Sequence, residues 1–306
     1  MSSKYLNTAV NSHASARSEA YSFVQDMLEL VKIKITLFVA FTTALGYILA
    51  TNSFTIEFIY PVAGIFILAC SAAALNHYQE RHYDRLMART MNRPIPAGRV
   101  SEGTALIVSL LLLVTGSAVL VAGANLMTLA VGLATYVSYN FVYTPLKRKI
   151  SLAIIPGSLV GALPPVAGWV AAGGSLLDEK ILLVSAYFFI WQIPHFWLLL
   201  LKYGKEYEGA GFPVLTLSRE RIANMVFFTP VLTVVPVVIL FAGGMLNYFI
   251  TGLLLCVASV WLLTSMYRFS RSDLNNKQII RSFIGINFYT LIFITLMSLD
   301  KLINLI

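Results

Sequence analysis

The chain has 306 residues, of which 58% are hydrophobic and only 12% are charged, and its mean hydropathy is +0.77. An average soluble domain is about a quarter charged, so this composition excludes an ordinary soluble domain and indicates a polytopic membrane protein. The formal net charge is +8, but no basic segment with interleaved aromatic residues resembles an RNA-binding motif, so no nucleic-acid partner is expected. Cys70 and Cys256 lie in separate apolar runs and predict neither a disulfide nor a zinc site.

The first 30 residues are expected to form a cytoplasmic tail and lead-in. Residues 1–25 are polar and rich in Ser and Ala, and they lack the apolar run and the small-residue cleavage site of a signal peptide. Residues 31–306 are predicted to form a single transmembrane domain, because no linker is long enough to divide them.

Nine apolar segments follow, each close to the roughly 20 residues that a bilayer-spanning helix needs. No segment alternates like a barrel strand, so the predicted fold is all-α, with nine transmembrane helices around a central cavity. The predicted helices are 35–52, 58–77, 104–123, 125–144, 152–172, 180–201, 224–242, 245–267 and 282–300.

The distribution of basic residues predicts the orientation of these helices. With the N-terminus placed in the cytoplasm, all but Lys180 and Lys301 of the 22 lysines and arginines fall on the cytoplasmic side. This is the bias expected of loops that stay on the cytoplasmic side of the membrane. The two long polar loops, 77–103 and 202–223, are therefore expected to lie on one face, where they can cap one central cavity.

The first polar loop carries a row of oxygen ligands beside a row of guanidinium groups. Asn76, Glu80 and Asp84 recur every fourth residue, a spacing that places side chains on one face of a helix. Mg²⁺ prefers oxygen ligands, and arginines bind phosphate oxygens with two donors. The arginines in the same spacing are Arg81, Arg85, Arg89 and Arg93. The pattern predicts a diphosphate site, with Asp84 at a wet helix end; the alternative is a solvated, orientation-setting loop.

The second polar loop continues the sixth predicted helix, in which Gln192, His195, Lys202 and Glu206 fall near one face. A histidine inside an apolar helix is costly unless it has a partner. His195 is therefore interpreted as a haem contact, a proton relay, a substrate hydrogen bond or a residue bonded to a neighbouring helix. Of the two nearby carboxylates, Glu206 is favoured over Glu208 because it continues the face of His195.

These residues resemble the UbiA-type intramembrane prenyltransferases. The resemblance rests on five motifs in family order, and the fourth of them points to the branch that acts on haem. They are Asn76-xxx-Glu80-xxx-Asp84-xx-Met87-x-Arg89-Thr90-xx-Arg93-Pro94, Tyr143-Thr144-x-Leu146-Lys147-Arg148, Gly161-Ala162-x-Pro164-Pro165-xx-Gly168-Trp169, Trp191-Gln192-x-Pro194-His195-Phe196 and Glu206-Tyr207-xx-Ala210-Gly211-x-Pro213.

The resemblance implies a UbiA-type helix bundle and a Mg²⁺-dependent transfer of farnesyl from farnesyl diphosphate to a vinyl group of haem B, with addition of water. It implies that Asn76, Glu80, Asp84 and Glu206 hold the metal and the diphosphate. The implied substrate-binding residues are Arg85, Arg89, Arg93, Lys147, Arg148, Gln192, His195, Lys202, Tyr203 and Tyr207. An active site facing the cytoplasm in the lipid bilayer of a bacterial inner membrane is implied, as is association with haem A synthase or terminal oxidase assembly.

The chain departs from the family pattern at a few positions. Glu80 and Glu206 stand where the family usually has Asp, and Lys32-Ile33-Lys34 replaces a Lys-Pro-Arg element, so only a weak role is expected for that arm. Two alternative functions remain at this point. One is a UbiA-type enzyme that prenylates a quinone precursor or a chlorin, which does not require the His195 motif. The other is a non-enzymatic haem carrier or transporter, which does not require acids and arginines clustered on one face.

Overall fold

The computed structural model describes residues 22–53, 55–214, 217–272 and 274–305, so most of the expected N-terminal tail lies outside the described residues. The described residues contain helices and no strands, and nine helices are long and apolar enough to cross a membrane. This confirms the predicted all-α class. The helices are α1 (Ile33–Ala50), α2 (Ile59–Asp84), α3 (Glu102–Gly123), α4 (Leu126–Val137), α5 (Ile154–Ala171), α6 (Glu179–Gly209), α7 (Arg219–Ala242), α8 (Phe249–Ser270) and α9 (Asn276–Ile303).

Local sequence signals set several of these helix ends. Five helices begin at a residue whose side chain accepts a hydrogen bond from a backbone N–H of the first turn, as polar N-caps do. These caps are Ser101, Asn125, Asp178, Ser218 and Asn275. The helix α4 does not stop at Val137 but continues through the π-helical turn Ser138–Tyr143 to Leu146.

Two helices extend well beyond their predicted ends. The prediction ends α2 at residue 77 and α6 at residue 201, whereas they end at Asp84 and Gly209. Hydropathy marks only the apolar part of a helix, while the backbone hydrogen bonds continue through a polar sequence as readily as through an apolar one. These polar extensions carry six of the predicted site residues, namely Glu80, Asp84, Lys202, Tyr203, Glu206 and Tyr207.

The lead-in to α1 is itself helical over residues 22–30. Its Asp26 accepts a hydrogen bond from Arg99 Nε at 2.7 Å, and Leu30 is fully buried in a small core with Ile95. The segment therefore packs against the loop that joins α2 to α3.

Successive helices are neighbours in space, and α9 packs against both α1 and α6. The largest apolar core lies around α6, α8 and α9, where the rings of Tyr187 and Phe293 stack with their centroids 3.8 Å apart. The opposite part of the bundle is hollow: α1, α2, α4, α5 and α6 surround a cavity of about 430 Å³. We call the end of the bundle where α1 begins and where α2 and α6 end the basic end.

The contact between α1 and α5 forms one wall of this cavity, and it depends on two glycines. A Cβ atom on Gly168 would lie 1.9 Å from the carbonyl oxygen of Thr43, and one on Gly46 would lie 1.8 Å from that of Pro165. Because the obstructing atoms are backbone, neither helix can accept a side chain there without moving. Small residues permit this kind of approach between helices inside a membrane.

Replacing Gly168 by alanine is expected to destabilise the protein by about 2 kcal/mol, because the added methyl group overpacks a backbone contact. Thermal unfolding in detergent measures the effect. The matched control is Gly285→Ala on α9, where the added Cβ would meet only side-chain atoms at 3.9 Å. Equal unfolding temperatures for the two variants would contradict the proposed role of the close contact.

Candidate active site

The row of oxygen ligands on α2 faces the cavity at its basic end. Asn76, Glu80 and Asp84 all line the cavity, and their exposed fractions are 0%, 6% and 1%. The four-residue spacing therefore places the three side chains on one wall, as the sequence predicts. Their burial shows that this face of α2 is covered on all sides by other parts of the chain.

Each of these three groups is paired with a cation from another part of the chain. Lys32 Nζ donates to Asn76 Oδ1 at 2.6 Å, and Lys147 forms an ion pair with Glu80. Arg93 Nη1 donates to both carboxylate oxygens of Asp84, each at 2.8 Å. Because the three cations also line the cavity, oxygen acceptors and cationic donors alternate along one wall.

Lys32 is a site residue to which the sequence assigned only a weak role. It has left-handed backbone dihedrals (φ 51°), at the bend between residues 22–30 and α1. Burial and the nearby charge of Arg93 lower the pKa of Lys32 to about 7, although Glu80 opposes this shift. The arm that departs from the family pattern thus contributes the amine of Lys32 to the cavity wall beside Asn76.

Lys147 shows the opposite shift. Burial alone would lower the pKa of Lys147, but the Glu80 carboxylate next to it, with smaller contributions from Tyr143 and Tyr139, outweighs burial and raises the pKa above its usual value. Lys147 therefore stays charged while it is paired with Glu80, and it supplies a fixed positive charge at the basic end of the cavity.

Arg89 connects the loop after α2 to the end of α6. Its backbone N–H donates to Glu206 Oε2 at 3.2 Å, and its Nη2 donates to the hydroxyl of Tyr207 at 3.0 Å. Its guanidinium also lies 4.8 Å from the ring centroid of Tyr203. The two polar segments predicted from the sequence therefore meet, and Arg89 and Tyr207 line the cavity.

Gln192 and His195 line the cavity deeper along α6, beside Phe196. Gln192 fits there because α5 has no side chain at Gly161, where a Cβ atom would lie 1.9 Å from Gln192 Nε2. The predicted face of α6 thus reaches the cavity at two polar positions inside the apolar part of the bundle.

Five predicted site residues lie outside the cavity lining, and the roles of all the predicted site residues stay predictions. Glu206 binds the Arg89 backbone, and Arg85 is exposed. Arg148 donates to the carbonyl oxygen of Gln79 at 2.5 Å and lies over the ring of Tyr83. Lys202 and Tyr203 pack against each other, with Lys202 Nζ 4.9 Å from the ring centroid.

Sequence reasoning missed the role of the π-helical turn at the end of α4. This turn carries Tyr139 and Tyr143, whose rings stack at 5.8 Å and line the cavity near its basic end. Just beyond it, Thr144 accepts a hydrogen bond from Asn76 Nδ2 at 3.0 Å, which orients the amide so that its oxygen faces Lys32. The four-residue spacing of Tyr139 and Tyr143 is visible in the sequence. The sequence does not reveal that this turn is π-helical, so it does not predict which face the two rings share.

Below the polar groups, the part of the cavity between α2, α4 and α5 is apolar. Its deep end is lined by Ile65, Leu68, Gly132 and Ala167. We call this part of the cavity, defined by these four residues, the deep arm.

The oxygen groups suit a hard divalent ion by donor type, because two carboxylates and an amide oxygen share one wall of the cavity. In the described parts of the chain, however, no three His, Cys, Asp or Glu residues gather closely enough to hold a metal ion. Glu80 and Asp84 are instead neutralised by Lys147 and Arg93. The oxygen groups that Mg²⁺ prefers are therefore present, and the two carboxylates form ion pairs with Lys147 and Arg93.

Comparison with known proteins agrees with this geometry. The model of the UbiA prenyltransferase family matches residues 39–291. Proteins named protoheme IX farnesyltransferase include one from Nitratidesulfovibrio vulgaris, 36% identical over 66% of this chain and 71% of the relative. Another, from Geobacter sulfurreducens, is 40% identical over 65% of this chain and 73% of the relative. A third, from Solibacter usitatus, is 33% identical over 80% and 88%.

Solved structures share the fold at low sequence identity. A digeranylgeranylglyceryl phosphate synthase has a TM-score of 0.73 and 14% identity, covering 91% of this chain and 98% of its own. A UbiA homologue from Archaeoglobus fulgidus, bound to DMAPP and Mg²⁺, has a TM-score of 0.64 and 16% identity, with coverage of 89% and 99%. The chain belongs to the UbiA prenyltransferase family, as an integral-membrane prenyltransferase in the group whose members are named protoheme IX farnesyltransferase.

Proposed function

We propose that this enzyme transfers the farnesyl group of farnesyl diphosphate to a vinyl group of haem B, with addition of water, to give haem O. The observation that carries the proposal is the division of one cavity into two parts. Oxygen acceptors and four cations (Lys32, Arg89, Arg93 and Lys147) occupy its basic end, and an apolar space continues below them. The names of the relatives specify which prenyl donor and which acceptor fit this arrangement.

In the proposed reaction, the bond between C1 of the farnesyl group and the diphosphate oxygen breaks, and the diphosphate leaves with the electron pair. The terminal carbon of the haem vinyl group forms a bond to C1. The inner vinyl carbon, now electron-deficient, takes hydroxide from water, and the proton of that water goes to solvent. The product keeps the farnesyl chain and a new hydroxyl group.

The cations of the basic end are proposed to stabilise the charge that grows on the leaving diphosphate. Lys32, Arg93 and Lys147 already hold oxygen groups of the protein and would exchange them for diphosphate oxygens. Bound by Asn76, Glu80, Asp84 and Glu206, Mg²⁺ would supply Lewis acidity at the same oxygens. Further phosphate contacts are proposed for Arg85, Arg89 and Arg148, and substrate contacts for Lys202, Tyr203 and Tyr207.

The aromatic groups next to the basic end are proposed to protect the allylic cation. Tyr139, Tyr143 and Phe196 line the cavity, and the rings of Tyr143 and Phe196 lie 6.1 Å apart. Aromatic faces attract a cation, and an apolar lining keeps water away from it until the vinyl group has reacted. Gln192 and His195 are proposed to contact the haem, because they are the polar groups of α6 within the apolar part.

The location and partners of the enzyme are further parts of the proposal. The excess of Lys and Arg at the basic end supports a cytoplasmic orientation of the active site, in the inner membrane of a bacterium. We further propose association with haem A synthase or with terminal oxidase assembly, which co-purification from membranes tests.

The test of the function is to incubate the purified chain with haem B, farnesyl diphosphate and Mg²⁺, and to analyse the porphyrins by mass spectrometry. The expected product is haem B with one added farnesyl group and one added hydroxyl group. A chelator should stop its formation. If haem B is returned unchanged while an aromatic quinone precursor supplied in its place becomes prenylated, the acceptor proposed here is wrong.

A further inference from the structure

His195 occupies a position on the cavity wall that the steps above leave without a chemical role. It lies on α6 among aromatic rings, with centroid distances of 4.4 Å to Phe283, 5.5 Å to Trp191 and 6.2 Å to Phe196. One edge of the imidazole reaches the cavity. The ring is therefore held from several sides and presented to whatever fills the apolar part.

Neither ring nitrogen of His195 has a hydrogen-bond partner among the described residues. Nδ1 is buried and unpartnered, and Nε2, which also has no hydrogen bond to the described residues, belongs to a side chain that lines the cavity. Two neighbouring polar groups on the same helix are satisfied: Trp191 Nε1 donates to the carbonyl oxygen of Ile286, and Tyr187 donates to Thr290 Oγ1. A polar group kept unpartnered inside an apolar helix is costly, so His195 points to a ligand in the cavity.

We propose that His195 Nε2 is an axial ligand of the haem iron while haem B is bound as acceptor. The proposal rests on the function proposed above, since it takes haem B as the occupant of the cavity. Neutral imidazole is a common iron ligand, and haem iron accepts one on its axial face. The lone pair of Nε2 forms the bond to iron, and no proton or electron is transferred.

Iron ligation would also position the reacting group. The vinyl groups are fixed to the porphyrin ring, so anchoring the iron to α6 sets their distance from the cavity wall. Hydrogen bonding or packing alone leaves the porphyrin free to slide along an apolar surface. His195 would thus act as a positioning residue for the vinyl carbon that attacks farnesyl C1.

The other two histidines among the described residues serve as matched controls. His77 has both ring nitrogens buried and unpartnered, but it lines a different pocket beside Lys34 and Ile33. His82 is exposed near the end of α2. Neither lines the cavity that holds His195, so neither is expected to ligate the iron.

The experiment titrates the purified protein with haem B and with metal-free protoporphyrin IX, in the absence of farnesyl diphosphate. For the unmodified chain, we expect the optical and electron paramagnetic resonance spectra of histidine-ligated haem. Haem B should bind about tenfold more tightly than the metal-free porphyrin, the size of one strong interaction. His195→Ala should lose both the ligation spectrum and the preference for haem, while its affinity for protoporphyrin IX is unchanged.

Imidazole added to the solution should restore the ligation spectrum of haem that stays bound to His195→Ala, and an unchanged affinity for protoporphyrin IX shows that the variant is folded. His77→Gln and His82→Gln should keep the spectrum of the unmodified chain. If His195→Ala keeps both that spectrum and the haem preference, the iron-ligand inference is overturned, whether or not haem O is made. If the unmodified chain binds neither porphyrin, the proposed acceptor is overturned and the inference with it.

Discussion

Replacing Asp84 by asparagine is expected to lower kcat about a thousandfold, the loss typical when one charged stabiliser of a reacting centre is removed. Asp84 is 1% exposed and lines the cavity. Both of its carboxylate oxygens accept a hydrogen bond from Arg93 Nη1. The amide keeps the size of the side chain but removes the negative charge that is proposed to bind Mg²⁺. Haem O formation at saturating Mg²⁺ and farnesyl diphosphate measures the loss.

The control for this change is another aspartate bound by an arginine outside the cavity. Asp26 accepts from Arg99 Nε at 2.7 Å, so Asp26→Asn also replaces an Asp–Arg ion pair by an amide contact. It should keep near-normal turnover. A double change, Asp84→Asn with Arg93→Gln, removes both members of the pair and should stay inactive, since each is proposed to bind the metal or the diphosphate. Recovery of activity in that variant would mean that Asp84 serves only to neutralise Arg93.

The helix count and the meeting of the two polar loops follow from local properties of the sequence. An apolar run long enough to cross a bilayer admits one conformation, because every backbone polar group inside lipid must be bonded within its own helix. The four-residue spacing of Asn76, Glu80 and Asp84 fixes their shared face for the same reason. Features of this kind need no knowledge of which helices are neighbours.

The cationic partners could not be predicted in this way, since they depend on contacts between distant segments. Lys32 and Asn76 are 44 positions apart, and nothing in their local sequences pairs them. Asp84 was expected at a wet helix end, but the loop after α2 covers it, because Thr90 Oγ1 bonds its carbonyl and Arg93 bonds its carboxylate. The polar end of a helix is exposed to solvent only when no loop folds back over it.

The face of α6 was predicted only in part. An undistorted helix places Glu206 on the face of His195, yet Tyr207 lines the cavity and Glu206 binds the backbone of Arg89. Pro194 lies N-terminal to both His195 and Glu206, and the helix is continuous between them. The difference therefore comes from the loop after α2, whose Arg89 N–H binds the Glu206 carboxylate, a contact that the periodicity of α6 does not encode.

The deep arm of the cavity leads to the second large expected effect, a change in the length of prenyl chain accepted. Eleven residues of α2 separate Asn76 from Ile65, which places the deep end roughly 16 Å below the polar groups. An extended farnesyl backbone of twelve carbons measures about 15 Å by ordinary bond lengths. The distance from the polar groups to the deep end therefore matches the length of a farnesyl group and exceeds the length of a geranyl group.

Gly132 is the position at which the arm can be shortened. A Cβ atom there would lie 2.9 Å from the terminal methyl carbons of both Ile65 and Leu68, which are flexible side-chain atoms. Gly132→Leu is therefore expected to fill the deep end of the arm, whereas Gly132→Ala should be accommodated by small shifts. The backbone of α4 is already helical at this residue, so the change adds volume without requiring a new backbone conformation.

We expect Gly132→Leu to lower kcat/KM for farnesyl diphosphate about a hundredfold, because the last isoprene unit loses its apolar site of several buried carbons. The kcat/KM of Gly132→Leu for geranyl diphosphate should change little. For farnesyl diphosphate, the kcat/KM of Gly132→Ala should lie between the values of the unmodified chain and Gly132→Leu. Gly103→Leu is the control, since only Ser101 Oγ, at 3.9 Å, lies near an added Cβ in the exposed first turn of α3. Equal losses for both diphosphates in Gly132→Leu would show damage to the shared chemistry or the fold. An unchanged kcat/KM for farnesyl diphosphate in Gly132→Leu would place the farnesyl tail elsewhere in the cavity.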